Sequence, residues 1–466
     1  MSVPAWVKDS VFYQIFPDRF DNGDLTNDPV NLSPWNSKPT ITSFHGGDLR
    51  GVINRFYYLL DLGINTLYFN PIFLSPSNHR YNSVDYFQID PKLGDLSTFK
   101  SLLDVAHRNH VRVVLDGVFN HCGRGFFAFN DILENQSDSP YVDWFHIKKF
   151  PVDAYSPGEA TTYQAWWKYK SLPKFNTSNP RVCDYIYKVA RYWLEQGIDG
   201  WRLDVPNEIN DDAFWAKFRE IVKNTNSDAY ILGEIWDGDN RWVGDSHFDG
   251  LMNYPIRTLI LDLLTEKKKA NAFVNDLASW VRHYPIENSF CMYNSLGTHD
   301  TERIFSLLGK SIEKIRLAYL ILFTFPGAPA IYYGDEIGLE GGPDPDNRRT
   351  FPWNETEWNI EILQWVKQLI RVRNDQNSLR RGNFSVIPNN NDSVFAFSRK
   401  DGGDYSIVIA NASNQSTKIE IDISDLVNED VKLVNAIGTE QFSEIHNGRV
   451  VIPLNRWSGM ILIPAD

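Results

Sequence analysis

The chain has 466 residues, of which 42% are hydrophobic and 23% charged, enough apolar side chain for more than one core and too little polarity for a disordered chain. Its 46 basic against 59 acidic residues leave a formal charge of −13, which repels phosphate backbones and anionic lipid and so argues against nucleic-acid and membrane partners. Aromatic residues reach 14%, more than a core requires, so some rings are expected to meet flat apolar ligand faces, of which sugar rings are one kind.

In chain order, Val11 to Phe16 and Asn65 to Asn70 are the first two strand candidates. Phe99, Leu102, Leu103 and Ala106 then fall at helical spacing and lead into Val111 to Asp116, a buried strand by composition. Residues 122–176 break the rhythm with a stretch rich in Pro, Asp, Trp and Tyr, expected to form an inserted, loop-rich subdomain. Val182, Tyr185, Ile186, Val189, Ala190, Trp193 and Leu194 keep the helical period until Gly197, and Ile198 to Asp204 follows as a strand. Tyr230 to Glu234, His247 to Met252, Cys291 to Leu296 and Ala330 to Tyr333 bring the count to eight.

Eight strands alternating with helices define an α/β chain and predict a (β/α)8 TIM barrel over 1–121 and 177–376, with chemistry at the C-terminal strand ends. From 377 to 466 short alternating strands, among them Ser393 to Ser398, Tyr405 to Ala410, Lys418 to Ile421 and Arg449 to Pro453, predict a C-terminal antiparallel β-sandwich. Met1 to Asp18 lacks a leader pattern, no run approaches about 18 apolar residues, and Cys122, Cys183 and Cys291 are too few and too spread for a disulfide framework. A soluble cytoplasmic protein is expected, although a trimmed leader would leave the same sequence.

Four acidic clusters sit at expected strand ends: Asp116-Gly117-Val118-Phe119-Asn120-His121, Gly200-Trp201-Arg202-Leu203-Asp204, Gly233-Glu234-Ile235-Trp236 and Gly297-Thr298-His299-Asp300. In this order they resemble the α-amylase family of glycoside hydrolases. Leu172 to Asn176, Val205 to Glu208 and Tyr332 to Glu336 are similar to its neopullulanase, cyclomaltodextrinase and maltogenic amylase branch. The resemblance implies a retaining α-glucan hydrolase that cleaves α-1,4 bonds of maltooligosaccharides, cyclodextrins or starch, with α-1,6 bonds of pullulan as a further substrate. A glucanotransferase using the same intermediate is the alternative, and a non-catalytic carbohydrate-binding protein the remote one.

Carried onto this sequence, the resemblance makes Asp204 the nucleophile, Glu234 the general acid/base and Asp300 the third acid that grips sugar hydroxyls. Arg202, two residues before Asp204 on a strand, shares its face and can hold that carboxylate ionised. Asp116 is implied to support the site rather than to react. The resemblance also implies substrate contacts for Tyr81, His121 and His299, with core or structural roles as alternatives. In Gly341 to Arg348 it assigns Asp344 and Arg348 to the next sugar, the alternative being an exposed salt bridge. Tyr163, Trp166, Trp167 and Tyr169 lie in the insert, implied to form one wall of the cleft, with no ring singled out.

Asp18 to Asp28 is dense in hard oxygen ligands around Gly23, which suits either a calcium loop or ordinary turn chemistry. The resemblance implies a structural calcium held by Asn22, Asp24, Asn27, Asp28, the Gly46 carbonyl and Asp48. Two departures stand out. Val11 to Phe16 already forms the first strand, so the N-terminal β-domain typical of the branch is not expected, which puts the dimer and the restricted cleft that it builds in doubt. Asp237 and Pro206 replace a usual His and Ala, changes expected to act on the acceptor side of the cleft.

Overall fold

A computed structural model describes residues 3–427, 431–442, 445 and 447–465. The eight expected strands form one parallel sheet: β1 (Phe12–Ile15), β2 (Thr66–Phe69), β3 (Arg112–Gly117), β4 (Gly200–Leu203), β5 (Tyr230–Gly233), β6 (Gly250–Leu251), β7 (Tyr293–Ser295) and β8 (Ala328–Tyr332). β1 pairs with both β2 and β8, and the sheet closes between β6 and β7 through a single bridge, Met252 to Tyr293. At that seam a Cβ on Gly250 would lie 2.2 Å from the Cys291 carbonyl oxygen, so only glycine lets the two backbones approach. β6 is much shorter than the expected His247 to Met252, because His247 and Phe248 belong to a loop that turns back on Trp242.

Period-two alternation sorts the strand residues into two layers. Phe12, Tyr68, Val114, Tyr230, Leu232, Met252, Tyr293 and Ala330 pack as the barrel interior. Tyr13, Ile15, Leu67, Phe69, Val113, Leu115, Trp201 and Ile231 join the larger cluster shared with the helices. One register up from the interior layer stand polar residues: Gln14, Asn70, Asp116, Arg202 and Glu234. The helix Pro180–Gln196 shows the local logic: Asn179 accepts from Arg181 N–H at its start, and Gly197 at φ +111° ends it in the left-handed conformation.

Two features differ from a regular alternation. No α-helix lies between β5 and β6; Asp237, Gly238, Asp239, Asn240, Gly244 and Asp245 crowd that connection with turn formers, and only a 3-10 turn at Asn240–Trp242 forms. Instead two helices, Tyr254–Leu264 and Ala270–His283, follow β6. The connection after β3 is less irregular than its composition predicts: it opens with the helix Phe127–Asn135 and is then tied by isolated bridges such as Phe145 to Phe175 and Ala165 to Pro173.

The C-terminal region is antiparallel. Asn383–Val386, Val394–Asp401, Asp404–Asn411, Ser458–Pro464, Leu433–Asn435 and Gln441–Phe442 form a six-stranded sheet in that spatial order, and Thr417–Asp422 pairs with Arg449–Leu454 as a second layer. Val394, Ile407, Ile409, Ile419, Ile421, Val450 and Ile452 fill the space between them. Among the described residues no helix is long and apolar enough to cross a membrane.

Candidate active site

At the C-terminal end of the barrel one buried guanidinium organises the acids. Arg202 Nη1 donates to Asp116 Oδ1 at 2.8 Å, to Asp116 Oδ2 at 3.0 Å and to Asp204 Oδ1 at 3.0 Å. Its Nη2 stands 2.7 Å from Glu234 Oε1 as an ion pair without hydrogen-bond alignment. The backbone N–H of Val205 donates to the other Glu234 oxygen at 3.0 Å. For that, Val205 takes φ +36°, ψ +51°, a left-handed conformation rare for a β-branched residue.

Burial raises the pKa of Asp116, Asp204 and Glu234, and the positive charge of Arg202 opposes it; Glu234 is pushed up to about 7. Three buried carboxyls around one guanidinium repel one another, and a proton on one of them relieves that repulsion. Arg202 gives its aligned hydrogen bonds to Asp116 and Asp204, which favour their ionised forms, yet burial still lifts Asp204 well above its ordinary value.

A neutral network frames these acids. Gln14 Nε2 donates to Asn70 Oδ1 at 3.0 Å and stands 3.0 Å from His299 Nδ1, which makes His299 Nε2 the protonated nitrogen. That nitrogen lies 2.6 Å from the Tyr81 hydroxyl and 3.1 Å from Asp300 Oδ2. Tyr81 donates onward to Asp116 at 2.8 Å, as Tyr68 does at 2.8 Å, and the Tyr81 and His299 rings stack at 5.2 Å and 8°. Asp300 opens to the cleft. Arg348 Nη2 is 3.5 Å from its carboxylate, and Arg348 Nη1 is 3.1 Å from Asp344. Asn347, between those two, donates to the carbonyls of His299 and Thr301 at 2.7 and 3.0 Å and so pins the peptide units on either side of Asp300.

His121 stands apart from the acids. Its Nδ1 meets Asn120 Nδ2 at 3.1 Å, its Nε2 is buried with no partner, and its ring lies under Trp166. Burial pushes His121 down to about 3, so it is neutral. Thus Asp204, Glu234, Asp300, Arg202, Tyr81, His299, Asp344 and Arg348 form one connected cluster, with His121 beside it. Gln14, Asn70, Tyr68 and His79 are not among the residues the motifs point to. His79 Nδ1 accepts from Tyr81 N–H at 3.1 Å, and burial with the charge of Arg348 pushes it down to about 3, leaving a neutral Nε2–H donor. The sequence signal for Gln14 and Asn70 is an amide at an inward position of an apolar strand.

The N-terminal loop fits a cation in part. Asn22 Oδ1 and Asn27 Oδ1 are buried acceptors without a donor, Asn22 Nδ2 lies 2.8 Å from Asp28 Oδ1, and a Cβ on Gly46 (φ +84°) would fall 2.5 Å from that same oxygen. Asp48 is otherwise engaged, accepting from the backbone N–H groups of Gly23, Asp24 and Gly51 and from Asn27 Nδ2. Asp24 accepts from Thr26. Among the described residues no group of three or more His, Cys, Asp or Glu side chains converges for a metal, so any ligand set here is chiefly amide and carbonyl oxygen.

A parallel eight-stranded barrel whose strand ends present an arginine-bridged set of carboxyls, with Glu234 pushed up to about 7, has the two-carboxyl arrangement that glycoside hydrolysis requires. The family described as alpha amylase, catalytic domain, matches residues 14–381, and the chain belongs to the α-amylase family. It is 42% identical over 467 residues to neopullulanase 2 from Thermoactinomyces vulgaris, covering 99% of this chain and 78% of that protein. The cyclic alpha-maltosyl-(1→6)-maltose hydrolase from Arthrobacter globiformis, solved with its cyclic substrate, superposes with a TM-score of 0.91 at 38% identity, over 99% of this chain and 100% of that one. The debranching enzyme from Nostoc punctiforme gives a TM-score of 0.88 at 39% identity, over 99% of each chain.

Proposed function

We propose that the chain is a retaining α-glucan hydrolase acting on α-1,4 bonds of maltooligosaccharides and cyclodextrins, and on α-1,6 bonds of related branched or cyclic glucans. The observation that carries this reading is the set of carboxyls gathered around Arg202: the guanidinium hydrogen-bonds Asp204 and orients it, while burial pushes Glu234 up to about 7, where it can carry the proton an acid needs. Asp204 attacks the anomeric carbon while Glu234 passes its proton to the glycosidic oxygen, which leaves with the bond electrons. The resulting Asp204 ester is opened by water, whose proton returns to Glu234. Asp300, open to the cleft and steadied by Arg348 and His299, takes the sugar hydroxyls. The match to neopullulanase 2 and to the Arthrobacter and Nostoc enzymes supports the substrate class.

The sign of the pH dependence follows. The acid works only while protonated, so kcat/KM on maltoheptaose should fall as pH rises through about 7. Glu234→Gln should cost about 10²–10⁴-fold in kcat and spare binding, measured by reducing-end release and by calorimetry. Undiminished hydrolysis by that variant would sink the assignment.

We further propose a structural calcium at the N-terminal loop, held by Asn22, Asp24, Asn27, Asp28, the Gly46 carbonyl and Asp48. The orphaned amide oxygens support it. Chelation should lower Tm and added calcium restore it; an unchanged Tm counts against the site. The three free cysteines suit a reducing, cytoplasmic location.

A further inference from the structure

The seam between the barrel and the β-sandwich buries two cations without a carboxylate of the chain to match them. Arg373, on the helix Ile360–Asp375, and Arg399, on the strand Val394–Asp401, are both fully buried. Every hydrogen bond that either makes among the described residues goes to a carbonyl. Asp9, the carboxylate whose charge acts on Arg373, is held by Arg380 and Arg381, and Asp404 accepts from the Ser378 N–H at 2.7 Å. The two guanidiniums stand side by side: they take successive carbonyls of one helix end, Phe323 for Arg373 and Thr324 for Arg399, and two carbonyls of one turn, Leu379 and Gly382. Burial pushes both below their ordinary value, and the charge of Arg373 presses further on Arg399.

Spare donors collect at the same seam. Arg373 Nε and Arg399 Nη2 are buried and have no partner among the described residues. Ser406 lies opposite Arg399 in the strand register, so the two side chains share a face. Its hydroxyl is 2.8 Å from that of Ser378, and both serines are fully buried. One hydroxyl donates to the other, which leaves the second proton with no acceptor among the described residues.

We propose that this seam is an anion site, taking a small monovalent ion of the chloride class between Arg373 and Arg399. Such an ion accepts from Arg373 Nε, from Arg399 Nη2 and from the spare serine hydroxyl, so each unmatched proton finds a partner. It also offsets the buried positive charge, which a water molecule cannot do, and a water would bring two more protons to a place already short of acceptors. The ion's size and charge follow from burial. All four side chains are closed to solvent, so the ion enters without its hydration shell, a cost far lower for chloride than for a dianion such as sulfate or phosphate. Arg373 belongs to the barrel and Arg399 to the sandwich, so the bound ion ties the two together. Neither arginine shares a partner with Arg202, and the ion therefore acts on stability rather than on the reaction.

The test is thermal unfolding of the full chain at constant ionic strength, as chloride replaces gluconate, an anion too large for a closed seam. Between about 1 and 200 mM chloride Tm should rise by about 3 °C and level off, as for one saturable site. Arg399→Met removes one cation and one donor and should abolish the rise. Ser406→Ala removes only a hydroxyl and should move the midpoint about tenfold upward in chloride. In crystals grown with bromide, the ion's anomalous signal should lie between the two guanidiniums. Equal Tm in the two salts, a rise that survives Arg399→Met, or a seam without bromide each overturns the site. The salt titration of the unaltered protein, Ser406→Ala and the bromide crystals decide the matter even if Arg399→Met does not fold.

Discussion

The two ends of the barrel each bury arginine completely, in opposite company. At the C-terminal end Arg202 faces Asp116, Asp204 and Glu234, and Asp116 and Glu234 raise its pKa against burial. At the other end Arg373 meets only carbonyls, those of Gly327 at 2.7 Å, Leu379 at 3.0 Å, Phe323 at 3.2 Å and Lys8 at 3.3 Å. Arg399 likewise meets the carbonyls of Thr324 at 2.6 Å and Gly382 at 2.9 Å. Burial, with neighbouring Arg380, pushes Arg373 down to about 9. Phe323 and Thr324 are the last residues of the helix Ile312–Thr324, so this second pair caps a helix C-terminus and ties the barrel to the β-sandwich. Equal burial therefore says nothing of role. What separates chemistry from architecture is whether the partners of the charge can change protonation.

Removing the arginine at each end sharpens the contrast. The larger effect is expected from Arg202→Met, which strands three buried carboxyls at once. Breaking a buried pair costs about 3–5 kcal/mol, and the acids relieve their repulsion by taking up protons. Asp204 is then no longer held as a carboxylate, so kcat should fall by roughly 10³-fold or more even in the fraction that stays folded. Urea melts read beside kcat per folded molecule separate the two losses. A variant that lost stability but kept its kcat would place Arg202 with the arginines of the far end.

How far the sequence carries this distinction depends on the range of the contacts. The strands were legible because each is a short β-rich run, and the acids because each stands at the end of one. Arg202 and Asp204 are two apart on one strand, so their shared face follows from the pleat. Other contacts leave no such trace. Gln14 reaches His299 across 285 positions, and Arg373 reaches Lys8 across 365, without any periodicity to mark them. The absent helix between β5 and β6 was signalled by the turn formers from Asp237 to Asp245, but the closure of the barrel through one bridge depends on backbone approach, which composition does not encode. Asp24 and Asp48 add a local case: turn composition places N–H donors from Thr26 and from Asp24 and Gly51 on their carboxylates.

The smaller effect belongs to the other end and is the stricter test. Arg399→Met keeps the length and apolar stem of the side chain while leaving the Thr324 and Gly382 carbonyls without their donor. Each buried, unsatisfied acceptor costs about 1–3 kcal/mol, partly offset because a guanidinium with no counter-charge no longer has to be buried. A loss of about 2 kcal/mol is expected, visible as a lower urea midpoint at unchanged m. The acids lie at the opposite end of the strands and share no partner with Arg399, so kcat and KM on maltoheptaose, and the basic limb of the pH profile near 7, should match those of the unaltered protein. A shifted limb would mean that the helix end capped by Arg399 sets the position of Glu234. In that case the two arginine clusters act as one system, and the division between a reacting end and a supporting end fails.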